Sequence, residues 1–202
     1  MSIALAGSGY AVIGVGPEYA FDLDPDINQF RQLVAFARAG QLPGVDGRRI
    51  VLLGGSYSSM HVQRLLRSDQ GFRGAVLLGG ISDLFELRKR FVAGSFFPPY
   101  GLDQALMAMG LPNTAPEHYW RYSSRFHLHP TMPPLLLLHS RDDEIVPFRQ
   151  SELLAAQLEE WQIAHEAHFF AGMSHYLRPD EASSDLDRIY EITTSFLEWV
   201  LS

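Results

Sequence analysis

The chain has 202 residues, 47% of them hydrophobic and 12% aromatic, enough to bury one sizeable core, so a single domain spanning 1–202 is the expectation. A formal net charge of −7 leaves no basic field for a nucleic-acid backbone or an anionic membrane surface. Cysteine is absent, which excludes disulfides, thiolate metal sites and cysteine nucleophiles.

The N-terminal "MSIALAGSGYAVIGVG" is apolar but lacks the positive n-region of a signal peptide, and no apolar run reaches membrane-spanning length. A soluble, cytoplasmic chain is expected. Within it "GSGYAV" matches half of a dinucleotide fingerprint, yet a strand pattern at Tyr10–Val15 follows where a helix is required, so no nucleotide cofactor is expected. Ile27, Phe30, Leu33, Val34 and Ala37 then recur at helical spacing, with Asp26 as the expected N-cap and Gly40 as the stop. A short apolar run at Ile50–Leu53 predicts a strand, a Gly-Gly-Ser turn interrupts it, and a helix is expected over 57–68. His61 lies on that helix and reads as a packing residue.

Strand patterns recur at Ala75–Leu78, Leu135–Leu138 and Ala167–Phe170, with helices expected over 149–161 and 185–200. Leu154, Leu158 and Trp161 form the apolar stripe of the first of these helices. Leu186, Ile189, Thr193, Phe196, Leu197 and Val200 form that of the second. Strands alternating with helices favour parallel pairing, because a crossover must carry the chain back, so the class is α/β with a mostly parallel sheet flanked by helices. Residues 84–130 break the rhythm. They are aromatic, punctuated by proline and longer than an ordinary connection, as expected of a small cap insertion over a site.

The chemistry centres on Gly54-Gly55-Ser56-Tyr57-Ser58. This fits the nucleophile elbow G-x-S-x-G, with Ser58 where the last glycine usually stands. The elbow needs small flanking residues because strand and helix pack closely around a strained turn that exposes the serine oxygen. The Tyr57 N–H, at the start of the following helix, would point at a developing oxyanion. An ordinary strand-to-helix turn can also carry a serine, so the motif needs a base and an acid downstream. Asp143 stands just past the strand 135–138, with Asp142 as its rival, and His175 follows the next strand in the flexible "GMSH" loop. His127 and His129 alternate in a way that could face a metal, but no carboxylate spacing completes a site. His165 and His168 point to opposite faces of an extended chain, and no metal is expected.

At these residues the chain resembles the α/β-hydrolase superfamily, in particular its prolyl-oligopeptidase-like and dienelactone-hydrolase-like esterase branches. The order Ser, Asp, His is the superfamily's. Its acid sits in a segment close to H-G-x-x-D-x-x-V-P, which His139, Asp143, Val146 and Pro147 match with Ser140 replacing the glycine, and that register selects Asp143 over Asp142. Asp83 is the reserve, because some hydrolases carry the acid one strand earlier. The likeness runs from about Gly9 to the C-terminus, omitting most of 84–128. In the family a strand ending in a glycine-rich oxyanion loop precedes the helix that leads into the strand resembling "GYAVIGV", and this chain begins at about that helix. The resemblance therefore implies a sheet that lacks a central strand: either the chain is an N-terminally shortened version of a longer hydrolase, or the strands close up and another group completes the oxyanion hole, and a homodimer is compatible with the open edge.

The resemblance and the motifs together lead to the expectation of a serine hydrolase in which Ser56 attacks an ester carbonyl, His175 shuttles the proton, Asp143 orients the imidazole and the Tyr57 N–H stabilises the oxyanion. Its substrate would be a small ester or a short peptide. Arg88, Arg90, Arg121 and Arg125 are candidate readers of a substrate carboxylate. The competing readings are a prolyl-oligopeptidase-like serine peptidase and a non-catalytic, truncated module that binds a ligand or partner.

Overall fold

The structure is a computed structural model, and it describes residues 1–16, 23–98, 102–176 and 184–202. Four strands, β1 (Val51–Gly55), β2 (Gly74–Leu78), β3 (Leu135–Ser140) and β4 (His165–Phe170), form one sheet in that spatial order. All three pairings are parallel, with Leu52 opposite Ala75, Val76 opposite Leu136 and Leu138 opposite His168. The four strands expected over 50–53, 75–78, 135–138 and 167–170 are therefore present, with ends that differ by one or two residues.

The alternation of strand side chains builds two apolar layers. On one face Ala75, Leu77, Leu135 and Leu137 meet α3 (Ser58–Ser68) and α7 (Arg149–Glu160) through Met60, Val62, Leu65, Leu154 and Leu158. On the other, Val76, Leu136 and Leu138 meet α8 (Ser184–Leu201) through Ile189, Phe196 and Val200. Each of the larger side chains, once fully buried, contributes roughly 1.5–3 kcal/mol, so β3, sealed on both faces, anchors the fold. Gly74 is small for this reason: a Cβ there would stand 3.1 Å from the Phe196 ring.

Three expectations are corrected. Tyr10–Val15 forms no strand; it follows α1 (Ser2–Gly7) as irregular chain, with Val12, Ile13 and Val15 each at least 40% exposed. A strand persists only inside a ladder, and these residues do not pair with the outer edge of β1, which carries no strand among the described residues. The helix expected to begin after Asp26 begins earlier, as α2 (Asp24–Arg38), capped by Leu23 with Pro25 in its first turn, a position that tolerates the missing N–H. Asp26 is instead buried, with its Oδ2 2.9 Å from His61 Nε2. Trp161 lies past the end of α7 and is 47% exposed rather than on its buried stripe.

The described residues of 84–130 include α4 (Leu84–Val92), α5 (Leu102–Ala108), α6 (Pro116–Tyr122) and a 3₁₀ turn at Ser124–His127. An aromatic cluster joins them, with Phe85 against Tyr119, Trp120 and Phe126 at ring-centroid distances of 5.2–5.9 Å. The Arg125 N–H donates to the Ser82 carbonyl, which ties the turn to the loop after β2. Among the described residues no helix is long and apolar enough to cross a membrane.

Candidate active site

β1 delivers Gly54 and Gly55 to the C-terminal edge of the sheet, and the chain then reverses into α3. Ser56 occupies the bend with φ +51°, a left-handed conformation that costs a non-glycine residue energy and persists only where surrounding contacts impose it. Those contacts are specific. The Ser56 N–H donates to the Leu78 carbonyl of β2 at 2.9 Å, and its carbonyl accepts from the Ser59 hydroxyl at 2.5 Å. The same Ser59 oxygen accepts from the Ile81 N–H at 2.9 Å, so one side chain joins the bend to the loop after β2. Gly54 is required by packing, since a Cβ there would lie 2.7 Å from both the Ser58 carbonyl oxygen and a Val62 methyl. Ser58, where the motif usually has glycine, folds its hydroxyl back, donating to the Gly55 carbonyl (2.7 Å) and accepting from the Gly55 N–H (3.0 Å). The departure from the motif thus braces the bend. Tyr57 is the N-cap residue of α3, at the end where the peptide dipoles are positive, with its ring edge-on to His61 at 5.1 Å.

The loops after β3 and β4 bring two further predicted residues to this point. His175 Nε2 is 3.0 Å from Ser56 Oγ, and His175 Nδ1 is 2.7 Å from Asp143 Oδ2. A carboxylate beside Nδ1 requires the proton there, which leaves the Nε2 lone pair to accept from the serine hydroxyl. Asp143 is itself fixed, its Oδ1 accepting from the N–H groups of Ile145 (2.9 Å) and Val146 (2.7 Å). Burial would raise its pKa, but hydrogen bonds from His139, His175 and the Val146 N–H outweigh it and hold the carboxyl well below the usual range. His139 is fully buried, with Nε2 3.0 Å from the Val146 carbonyl and 3.2 Å from Asp143 Oδ2. Both neighbours only accept, so Nε2 carries the proton, and the Ser151 hydroxyl at 2.7 Å serves Nδ1. Gly79, at the end of β2 with φ +56°, completes the floor: a Cβ there would stand 3.2 Å from Asp143 Oδ2.

The other candidates lie elsewhere or serve other ends. Asp83 caps α4 by accepting from the Glu86 N–H and pairs with Arg125 at 2.6 Å, so it is not the acid that meets His175. Of the arginines, Arg88 donates to the Leu106 carbonyl, Arg90 pairs with Glu86, and Arg121 shares Asp24 with Arg64. His127 and His129 bond to the Trp120 and Leu66 carbonyls, His165 to the Ile163 carbonyl and His168 to Glu166. Among the described residues no group of three His, Asp or Glu side chains could hold a metal ion. Sequence reasoning missed Ser59, Gly79 and Glu144, and took Asp142 only as an alternative acid. Gly79-Gly80 directly after a strand was the visible signal for the second of these. An open cleft of about 90 Å³ lies over the serine, lined by Ser56, Leu78, Gly79, Met173, Ser174 and His175 among others.

A parallel sheet between two helical layers, with a serine on a left-handed strand–helix bend and its partners on later strand ends, defines an α/β-hydrolase fold. Solved structures bear this out. The acylaminoacyl peptidase of Pyrococcus horikoshii superposes with TM-score 0.70 at 21% identity, over 89% of this chain and 28% of that one. A sugar hydrolase of Lactococcus lactis gives 0.71 at 19% identity over 98% and 79%. An acetyl ester-xyloside bifunctional hydrolase of Caldicellulosiruptor lactoaceticus gives 0.63 at 18% over 84% and 63%. Residues 14–202 match the model of the prolyl oligopeptidase family, and the chain belongs to that family. It spans about a quarter of the length of the peptidases it matches. A search of curated proteins gave no match.

Proposed function

We propose that the chain is a serine hydrolase that cleaves a carboxylic ester through an acyl-enzyme, with Ser56, His175 and Asp143 as its triad. The observation that supports this most is the unbroken hydrogen-bonded line from Ser56 Oγ through the imidazole to the buried Asp143 carboxylate. In the first half-reaction Ser56 Oγ bonds to the acyl carbon as its proton passes to His175 Nε2. The tetrahedral oxyanion collapses, the C–O bond to the leaving alcohol breaks, and the imidazolium returns the proton to that alcohol. In the second, a water oxygen bonds to the acyl carbon as its proton passes to Nε2, the bond from that carbon to Ser56 Oγ then breaks, and the imidazolium returns the proton to Oγ, which releases the acid and the free serine. Asp143 keeps Nδ1 protonated and balances the transient imidazolium, and the Tyr57 N–H, at the positive end of α3, is the proposed oxyanion donor.

In this reading 1–202 is one hydrolase-like domain, and residues 84–130 are an insertion that screens the apolar acyl or aryl part of a small substrate. The chain acts in the cytoplasm. Membership of the prolyl oligopeptidase family favours a second reading, cleavage of a short peptide, with an amine leaving from the same intermediate. Esters rank first because they need less oxyanion stabilisation than amides. Parallel assays with p-nitrophenyl esters of increasing acyl length and with blocked peptide p-nitroanilides test this. Ester turnover that exceeds anilide turnover supports the esterase reading; the reverse order overturns it in favour of the peptidase.

A further inference from the structure

The triad depends on one irregular segment. Residues 171–176 follow β4 with no regular structure of their own, Ala171 and Gly172 are exposed, and Gly172 has φ +74°. Its Gly172 and His175 N–H groups donate to side chains of the loop after β3. The Gly172 N–H reaches Asp142 Oδ2 at 2.6 Å, and the His175 N–H reaches Glu144 Oε2 at 3.0 Å. The second Glu144 oxygen accepts from the Ser174 hydroxyl at 2.8 Å. Between them Asp143 takes the imidazole itself. Three consecutive carboxylates, Asp142, Asp143 and Glu144, therefore hold the histidine segment at its start, at the ring and at the backbone of His175. Met173, buried in the layer beneath α8, is the apolar anchor.

We infer that Asp142 and Glu144 are positioning residues that fix the imidazole of His175 between Ser56 and Asp143, a conclusion that rests on the proposed triad. Neither lines the cleft, so their effect runs through His175. The chemistry of the acceptors makes the pair separable. Glu144 uses one oxygen for each donor, whereas glutamine has a single carbonyl oxygen, so Glu144→Gln can keep the His175 N–H only as an uncharged bond and must reverse the Ser174 bond, its new amide N–H donating to a hydroxyl that now accepts. Asp142 uses one oxygen, and an amide carbonyl can replace it, so Asp142→Asn keeps a weaker, uncharged bond. Asp142→Ala and Glu144→Ala remove the contacts outright. Burial would raise the pKa of Glu144, but the His175 N–H, its own N–H and the Ser174 hydroxyl outweigh it and hold this carboxyl below its usual value.

Displacing a reacting group by about 1 Å costs on the order of 10²-fold in rate. The double variant Asp142→Ala/Glu144→Ala is therefore expected to lose roughly that factor in kcat towards a p-nitrophenyl ester, with KM within about threefold of the parent. Asp142→Asn should fall least and Glu144→Gln between the two. Proton NMR supplies the readout that loss of stability alone would not move. The downfield His175 Nδ1–H resonance, identified by its disappearance in His175→Ala, should broaden or vanish in the double variant at a temperature where circular dichroism shows both proteins folded. A folded double variant with unchanged kcat and an unchanged resonance overturns the inference. A parent chain that shows the resonance but hydrolyses nothing sinks the esterase reading while the resonance comparison still decides the clamp. A parent without the resonance overturns the arrangement on which the clamp rests.

Discussion

At the scale of single residues, the site is held by close approaches to its backbone. Gly79→Ala would force a side chain into a left-handed backbone and to within 3.2 Å of Asp143 Oδ2 and 3.6 Å of the His175 ring, so the carboxylate must give by a few tenths of an ångström at its contact with the imidazole. Ester kcat should fall at least about tenfold, with a loss of roughly 1 kcal/mol in urea unfolding from the backbone strain alone. Unchanged kinetics would mean that Asp143 is not needed where it stands. The same carboxylate gives a pH signature. Because its folded-state pKa is depressed, the folded chain binds this proton less readily than the unfolded chain, so the stabilisation is complete above roughly pH 4 and fades as pH falls below it. Unfolding followed between pH 5 and 2 should show a steeper loss for the parent chain than for Asp143→Asn; equal slopes would contradict the depressed pKa. Ser56, Asp143 and His175 were legible because each sits beside a strand end in a recognisable order. Asp142 and Glu144 were not, because a run of three acids does not say which of them faces the imidazole and which the backbone.

At the scale of elements, four of the five expected strands pair with one another, and Tyr10–Val15 does not join them, leaving the outer edge of β1 unpaired among the described residues. Periodicity reports what a segment would do inside a sheet, not whether the sheet reaches it. Asp26 misled for a related reason: an acid near a helix start reads as a cap, yet this one is drawn inward by His61, whose own pKa burial lowers against the pull of Asp26. Hydrogen exchange should rank the elements accordingly, with β3 amides slowest, β1 faster, and residues 10–16 exchanging without measurable protection. Strong protection at Val12–Val15 would restore the missing strand. The contact of β1 with α3 is the second sensitive point. Gly54→Ala would press a methyl onto the Ser58 carbonyl and Val62, and should cost about 1–3 kcal/mol in chemical denaturation as α3 shifts off the strand. A neutral substitution would show that the bend has slack.

At the scale of the whole molecule, the parallel order β1-β2-β3-β4 gathers the ends of β1, β2, β3 and β4 on one edge, and this carries Ser56, Gly79, Asp143 and His175 to a single cleft from positions up to 119 residues apart. The class of fold was readable from the alternation of apolar strands and helices, and the family from three ordered motifs. The preferred substrate was not readable, because it depends on how residues 84–130 and the cleft meet a ligand, which no periodicity encodes. The central claim is that Ser56 is an activated nucleophile. It is tested most directly by reaction with a fluorophosphonate probe, followed by mass spectrometry of the labelled peptides. One adduct per chain is expected, on Ser56, abolished in Ser56→Ala and strongly slowed in His175→Ala. A chain that stays unlabelled while folded, or one labelled at another residue, would contradict it.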